Sequence, residues 1–209
     1  VSAVLMGWYP GQEGGLAIPR MLAGEISYSR RLPISIEARP DDNPTYDHYY
    51  VEKPMTKRGH STLNVTYGEG IFVGYRGYEK KGVSPLYPFG HGLTYTSFEY
   101  SDLMVSRNGD GVDVTLTVTN TGNFDAAEVV QIYVGEDNPC VARPAKELKG
   151  YDKVFIPKGE SAVVTVRLPR SAFAFYDVDI HDWRINPGSF TIMVGASSQD
   201  IKLKEHIIL

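Results

Sequence analysis

Val112-Asp113-Val114-Thr115-Leu116-Thr117-Val118-Thr119 alternates apolar and polar residues without a break. Successive side chains of a strand point to opposite faces, so a period of two marks a half-buried strand. Asn120-Thr121-Gly122-Asn123 follows as a turn, since Asn and Gly tolerate the backbone angles of a tight reversal. C-terminal to it, Glu128 to Val134 reads as a strand. Leu148 to Ile156 reads as another, closed by the turn Pro157-Lys158-Gly159-Glu160. Ser161 to Leu168 alternates again, and Ala174-Phe175-Tyr176-Asp177 begins a short strand. Trp183 precedes the turn Asn186-Pro187-Gly188, Ser189 to Val194 is a late strand, and Ile201 to Leu209 is a last one. In the other direction the period of two sets in near Phe98. This spacing of strands and turns predicts an antiparallel β-sandwich of roughly seven strands.

The texture upstream is different. From Ser27 to about Tyr95, Pro33, Pro40, Pro44 and Pro54 break any long element, and no helical period persists. This predicts an ordered, loop-rich region with one or two short strands. Its aromatics, Tyr46, Tyr49, Tyr50, Tyr67, Phe72, Tyr75, Tyr78, Tyr87 and Phe89, imply that it packs against something. Before it, Leu16 to Gly24 has apolar residues at helical spacing and a glycine suited to end a helix. Val1-Ser2-Ala3-Val4-Leu5-Met6 reads as a buried strand of a parallel sheet. Strand, Gly-rich turn and helix make half of a βαβ unit. One strand and one helix cannot build such a sheet, so the expectation is that the sequence starts mid-domain.

Composition excludes several classes. Of 209 residues, 42% are hydrophobic and 22% charged, enough apolar material for a packed core. A net charge of -4 argues against a nucleic-acid partner, which would call for a basic face. The longest apolar run is far shorter than the ~20 residues a membrane helix needs. Cys140 is the only cysteine, so no internal disulfide and no Cys-based metal site can form. Asn64-Val65-Thr66 is a glycosylation sequon, too short a signal to assign a compartment, and cytoplasmic and secreted settings both fit.

Several stretches resemble glycoside hydrolase family 3. Trp8-Tyr9-Pro10-Gly11-Gln12-Glu13-Gly14-Gly15 is similar to its W-x-P-G-Q-E-G-G turn, and Ser29-Arg30-Arg31-Leu32-Pro33 to its S-G-R-L-P segment. Asp42-Asn43-Pro44, Tyr67 to Arg76 (YGEGIFVGYR) and Pro88 to Thr96 (PFGHGLTYT) follow in the family's order. Val118 to Gly122 (VTNTG) and Lys146 to Gly150 (KELKG) match within the sandwich. The resemblance implies a mixed fold: the C-terminal remnant of an α/β sandwich domain (1–96, with a loop-rich linker), then a fibronectin type III-like antiparallel β-sandwich (97–209). It implies a retaining enzyme of the β-glucosidase type, acting on β-glucosides or oligosaccharides with two carboxylates about 5 Å apart. Those carboxylates belong to motifs upstream of the Trp8 turn, so no catalytic residue is carried over. The partner implied is the upstream barrel and α/β portion of the same enzyme, and no metal or cofactor is implied. Two departures bear on local geometry. Arg30 replaces a Gly, which would strain the turn if the position needs positive φ. Pro19 suits only a first helical turn, which places the helix start near Ile18.

Three residues are substrate-binding candidates. Trp8 offers an aromatic face to a sugar, or packs in a core. Glu13 opens a helix at a strand-to-helix turn, where ligands often bind, or simply complements the helix dipole. Glu69, between two glycines and before a strand-like run, lines a sugar pocket or pairs with Arg76. A catalytic role for Glu13 and Glu69 together is the outlying reading. His91 is expected to make a structural hydrogen bond in a linker turn, there being no partner at ligand spacing. The alternative function is a stand-alone, non-catalytic sandwich that binds or scaffolds. It would need an exposed line of aromatics, whereas the spacing of Tyr133, Phe155, Phe173, Phe175, Tyr176 and Trp183 better suits core and corner positions. A further possibility is one subunit of a cleaved enzyme, held to its other half by the sheet it completes.

Overall fold

The computed structural model describes residues 3–49, 55–57, 60–62 and 65–209, with 55–57 and 60–62 described by backbone alone. In chain order the elements are α1 (Gly14–Leu22), α2 (Tyr46–Tyr49), β1 (Met55–Lys57), β2 (His60–Thr62), α3 (Tyr75–Lys81), β3 (Phe98–Asn108), β4 (Gly111–Asn120), β5 (Ala126–Glu136), β6 (Glu147–Ile156), β7 (Ser161–Leu168), β8 (Phe175–Asp177), β9 (Asp182–Arg184), β10 (Ser189–Gly195) and β11 (Ile201–Ile208). Short 3-10 turns occupy Pro40–Asp42 and Arg170–Phe173. The sequon's Asn64 lies outside the described residues.

The sandwich has two antiparallel sheets, ordered β11-β10-β5-β6 and β3-β4-β7. Seven strands among the described residues meet the expectation. β4 pairs with β7 from Val112↔Leu168 to Thr119↔Ser161, so Val112, Val114, Leu116 and Val118 share the inner face with Val164, Val166 and Leu168. Val130, Ile132 and Val134 of β5 and Phe190, Ile192 and Val194 of β10 close the core from the other sheet. Phe173 meets Phe190 edge to face at 5.3 Å. On the outer face of β4 the alternation leaves hydroxyls, and Thr115 and Thr165 bond across the ladder at 3.0 Å.

Alternation fails in β5, where Val130 to Gly135 is buried on both faces. The outer face there is covered by the loop-rich region. Gly90 and Ala196 carbonyls accept from Gln131 Nε2 at 3.2 and 2.6 Å, and the Tyr75 ring meets Tyr133 at 5.9 Å. Gly90 has φ +83, and a side chain there would collide with Gln131, so the PFGHG turn requires glycine at this point.

Several expectations are corrected. Of the strand expected at Val1 to Met6, Val1 and Ser2 lie outside the described residues, and Ala3 to Met6 forms no strand and is exposed, because no described strand of this chain offers it a ladder. The helix starts at Gly14 rather than near Ile18 and keeps Pro19 inside it. Its end is a Schellman turn: Gly24 at φ +75 donates to the Met21 carbonyl and Glu25 to that of Arg20. The run containing Arg76 is the helix α3, entered through Gly74 at φ +59, not a strand. Arg30 is not among the positive-φ residues, so its replacement of glycine carries no left-handed strain. Tyr133, Phe173 and Phe175 are core residues, but Phe155, Tyr176 and Trp183 are exposed.

Candidate functional site

The turn opening α1 carries two of the three candidates. Trp8 sits at φ +48, a region that costs a bulky residue about 1–2 kcal/mol. Such strain concentrates where a side chain must be held for function. The Trp8 side chain is 54% exposed, and Tyr9 beside it is 99% exposed. Gly14 folds against the Pro10 ring so closely that a side chain would collide with it, which fixes the turn. Glu13 occupies the N-cap position: its carbonyl accepts from Leu16 N at 3.0 Å and Ala17 N at 2.9 Å, but its carboxylate makes no capping bond. A free carboxylate at the positive end of α1 complements the helix dipole and stays available to a ligand.

Glu69 stands on a different turn. Gly70 at φ +57 reverses the chain, Phe72 N donates to the Glu69 carbonyl at 3.1 Å, and the His48 ring lies directly against Gly68. One carboxylate oxygen, Glu69 Oε2, is buried without a hydrogen-bond partner. The expected pair with Arg76 does not form: Arg76 Nη1 faces Glu147 Oε1 at 4.0 Å. Among the described residues, no hydrogen bond, ion pair or ring contact joins Glu69 to Trp8 or Glu13. Nor is there a cluster of His, Cys, Asp or Glu that could hold a metal.

The densest polar chemistry lies where the loop-rich region meets the sandwich. Segments 32–36 and 87–91 run antiparallel, with Leu32 N donating to His91 O and Gly90 N to Leu32 O, both at 2.8 Å, and a bridge between Ile36 and Tyr87. From this base Arg31 reaches Glu128 of β5 and the Gly92 carbonyl. Glu128 is 1% exposed and also accepts from the Tyr100 hydroxyl at 2.7 Å. Burial, and then the Glu128 carboxylate, push the Tyr100 phenol well above its ordinary pKa, so it stays a donor. A second joint uses the KELKG motif. Lys146 pairs with Glu79, Glu147 faces Arg76, and Leu148 N donates to Tyr75 Oη at 2.8 Å. A third runs through Tyr95, whose hydroxyl donates to the Met21 carbonyl of α1 at 2.8 Å while its ring lies 5.8 Å from Phe124 of the β4–β5 turn. An open groove of about 610 Å³ follows this junction, lined by Asn43, Thr45, Tyr75, Arg76, Phe89 and Glu147 among others.

The motif residues Arg31, Lys146 and Tyr75 were visible in the sequence, but their partners were not. Arg31 and Glu128 are 97 residues apart, and no local pattern links them. His91 meets its expected role through backbone bonds, while its ring packs against Tyr87 at 5.5 Å. Burial and then Arg31 lower its pKa, so the neutral ring is favoured in the folded protein. Its contribution to stability is present above the ordinary histidine pKa and declines as pH falls below it. An NMR titration of the imidazole is expected to give a value below that of free histidine.

Gly77 tests the seating of α3. A side chain there would strike the Phe72 carbonyl and the Pro44 ring. Gly77→Ala is expected to cost about 1–3 kcal/mol, as overpacking does. A denaturant melt reads it directly.

Comparison with known proteins gives two family-model matches: the Glycosyl hydrolase family 3 C-terminal domain over residues 1–75, and the Fibronectin type III-like domain over residues 128–198. The chain is 41% identical over 211 residues to thermostable beta-glucosidase B of Acetivibrio thermocellus, covering 99% of this chain and 27% of that protein. It is 42% identical over 201 residues to an exo-alpha-(1->6)-L-arabinopyranosidase of Bifidobacterium breve, covering 96% of this chain and 25% of that protein. The crystal structure of a GH3 beta-glucosidase of Bifidobacterium adolescentis superposes with a TM-score of 0.87 at 40% identity, over 98% of this chain and 29% of that one. The chain thus spans about a quarter of the length of these relatives.

Proposed function

The chain belongs to glycosyl hydrolase family 3, and from that premise we propose that it is the C-terminal portion of a retaining β-glucosidase-type enzyme. The complete enzyme removes terminal non-reducing β-D-glucosyl residues from β-glucosides and oligosaccharides. Its nucleophile and acid/base lie upstream, in the barrel and in the earlier part of the α/β domain. This portion completes the α/β domain and braces it.

The observation that carries the bracing role is the buried Arg31–Glu128–Tyr100 chain, which ties the α/β remnant to the sandwich. The division falls between residues 96 and 97, just before β3 begins at Phe98. The exposed Val4, Leu5, Met6, Leu16 and Leu22 are the face that the upstream part of the α/β domain covers, and Ala3 to Met6 supplies its missing strand. An apolar patch of this kind marks an interaction surface. Trp8 and Glu13 face the substrate from the strained turn. Glu69 takes part through its unpartnered oxygen, which a sugar hydroxyl would satisfy.

The test is hydrolysis of an aryl β-D-glucoside, with an aryl α-L-arabinopyranoside run beside it. The chain alone is expected to show no turnover, and co-refolding with the upstream portion is expected to restore it on the glucoside. Turnover by the chain alone, abolished by Glu13→Gln or Glu69→Gln, would place the chemistry here and sink the proposal. Restored turnover on the arabinopyranoside alone would keep the bracing role and replace the sugar. Trp8→Ala in the restored enzyme is expected to raise KM more than it lowers kcat.

A further inference from the structure

The β8–β9 hairpin projects from the sandwich on a fixed base. Phe175 is buried at its root, and Arg143 holds that root by donating to the Phe173 carbonyl at 3.2 Å while its guanidinium stands 6.0 Å from the Phe175 ring. Arg143 is itself clamped by Glu136 and Glu147 at 2.8 and 2.9 Å. Beyond this base the side chains leave the core. Tyr176 and Trp183 are directly opposite each other in the ladder, so they share one face of the hairpin. Their rings meet at 5.8 Å and 79°, forming the two walls of a corner rather than covering each other. Trp183 is 66% exposed and Tyr176 49%.

The connecting turn also exposes Val178 and Ile180, and the other groups of the hairpin are polar. Arg184 donates to Asp177 at 3.1 Å, Asp177 also accepts from Asp179 N at 3.0 Å, and Asp182 accepts from Trp183 N at 2.7 Å. His181 stands in the connecting turn at φ +53. Charged residues are depleted at the centre of protein–protein interfaces, and a three-residue hairpin offers far less than the ~800 Å² per partner that a stable one buries. An aromatic wall on a hairpin that also carries carboxylates and a guanidinium fits a different ligand. The C–H face of a β-linked pyranose meets the electron-rich face of an aromatic ring, and its equatorial hydroxyls reach outward to donors and acceptors.

We propose that the Tyr176–Trp183 corner is a carbohydrate-binding site, taking pyranosyl units of a β-glucan. It would hold polymeric substrate near the enzyme without taking part in hydrolysis. The choice of a β-glucan rests on the glycosidase reading above, while the corner rests on its own geometry.

The experiment is retention of the complete enzyme on insoluble cellulose in the cold, alongside turnover of a small aryl β-D-glucoside. Wild-type enzyme is expected to be retained. Trp183→Ala is expected to weaken retention about tenfold, equivalent to about 1.4 kcal/mol. Trp183→Phe, which keeps an aromatic face, is expected to recover most of it. The small glucoside should be turned over equally by all three. Equal retention of Trp183→Ala, or no retention of wild type, would overturn the proposal. A lower melting temperature or lost glucoside turnover in both Trp183→Ala and Trp183→Phe would also overturn it, because the corner would then be a contact with the enzyme's own upstream domains. Absence of glucoside turnover in the wild type, with retention intact, would instead defeat the glycosidase reading.

Discussion

Glu128→Ala is expected to cost about 3–5 kcal/mol, the range for removing one partner of a buried ion pair. The substitution leaves the Arg31 guanidinium, only 12% exposed, with the Gly92 carbonyl and no counter-charge. It also orphans the Tyr100 hydroxyl inside the sandwich. Arg31 Nε is already buried without a partner, so nothing nearby can take up the loss. Urea melts followed by tryptophan fluorescence and by circular dichroism should both shift. The double variant Arg31→Met with Glu128→Leu should recover most of the stability, because two apolar residues leave no charge stranded. A Glu128→Ala melt that coincides with wild type would show that the pair does not join the two parts.

Asn120→Ala is the second large effect. Asn120 is fully buried at the end of β4, in the VTNTG motif. Its amide donates to the Phe124 and Ile156 carbonyls at 2.8 and 2.9 Å, and its oxygen accepts from Thr96 Oγ1 at 2.5 Å and Gly122 N at 3.2 Å. One side chain therefore ties together the β4–β5 turn, the end of β6 and the chain entering the sandwich. Removing it leaves at least two buried polar groups unsatisfied, and at ~1–3 kcal/mol each the expected loss is about 3 kcal/mol or more. Asn120→Asp should do nearly as much harm, since it keeps the shape but loses both donors. If Asn120→Asp melted like wild type, the donor bonds would not be what matters.

Much of the sandwich could be read from single strands. Ser161–Leu168 matches its predicted span, and β5, β6, β10 and β11 differ by one or two residues at their ends. A period of two is a local signal, and in β4 and β7 each strand keeps one face on the core and one in water. What failed to read did so for tertiary reasons. The helix α3 is short, and its buried side rests on Gly77 and Tyr78, too little for a helical period to emerge. That misreading carried over to Arg76: from a helix the side chain reaches β6, not Glu69. Ala3 to Met6 has the composition of a core strand but no described strand to pair with. The exposure of Tyr176 and Trp183 could not be foreseen either, because strands of three residues are too short to show which face turns inward. Of the candidate site, the strained Trp8 turn was legible as a motif, whereas the Arg31–Glu128 joint became visible only once the fold was closed.

That joint also sets an order of events during synthesis. Arg31 leaves the ribosome 97 residues before Glu128. At about 5–20 residues per second, the α/β part waits roughly 5–20 s for the carboxylate that fastens it. For that interval the Arg31 cation has no counter-charge from Glu128 on the nascent chain. The sandwich, made after the α/β part, therefore controls when that part becomes fixed, and a truncation before Glu128 would leave Arg31 unfastened.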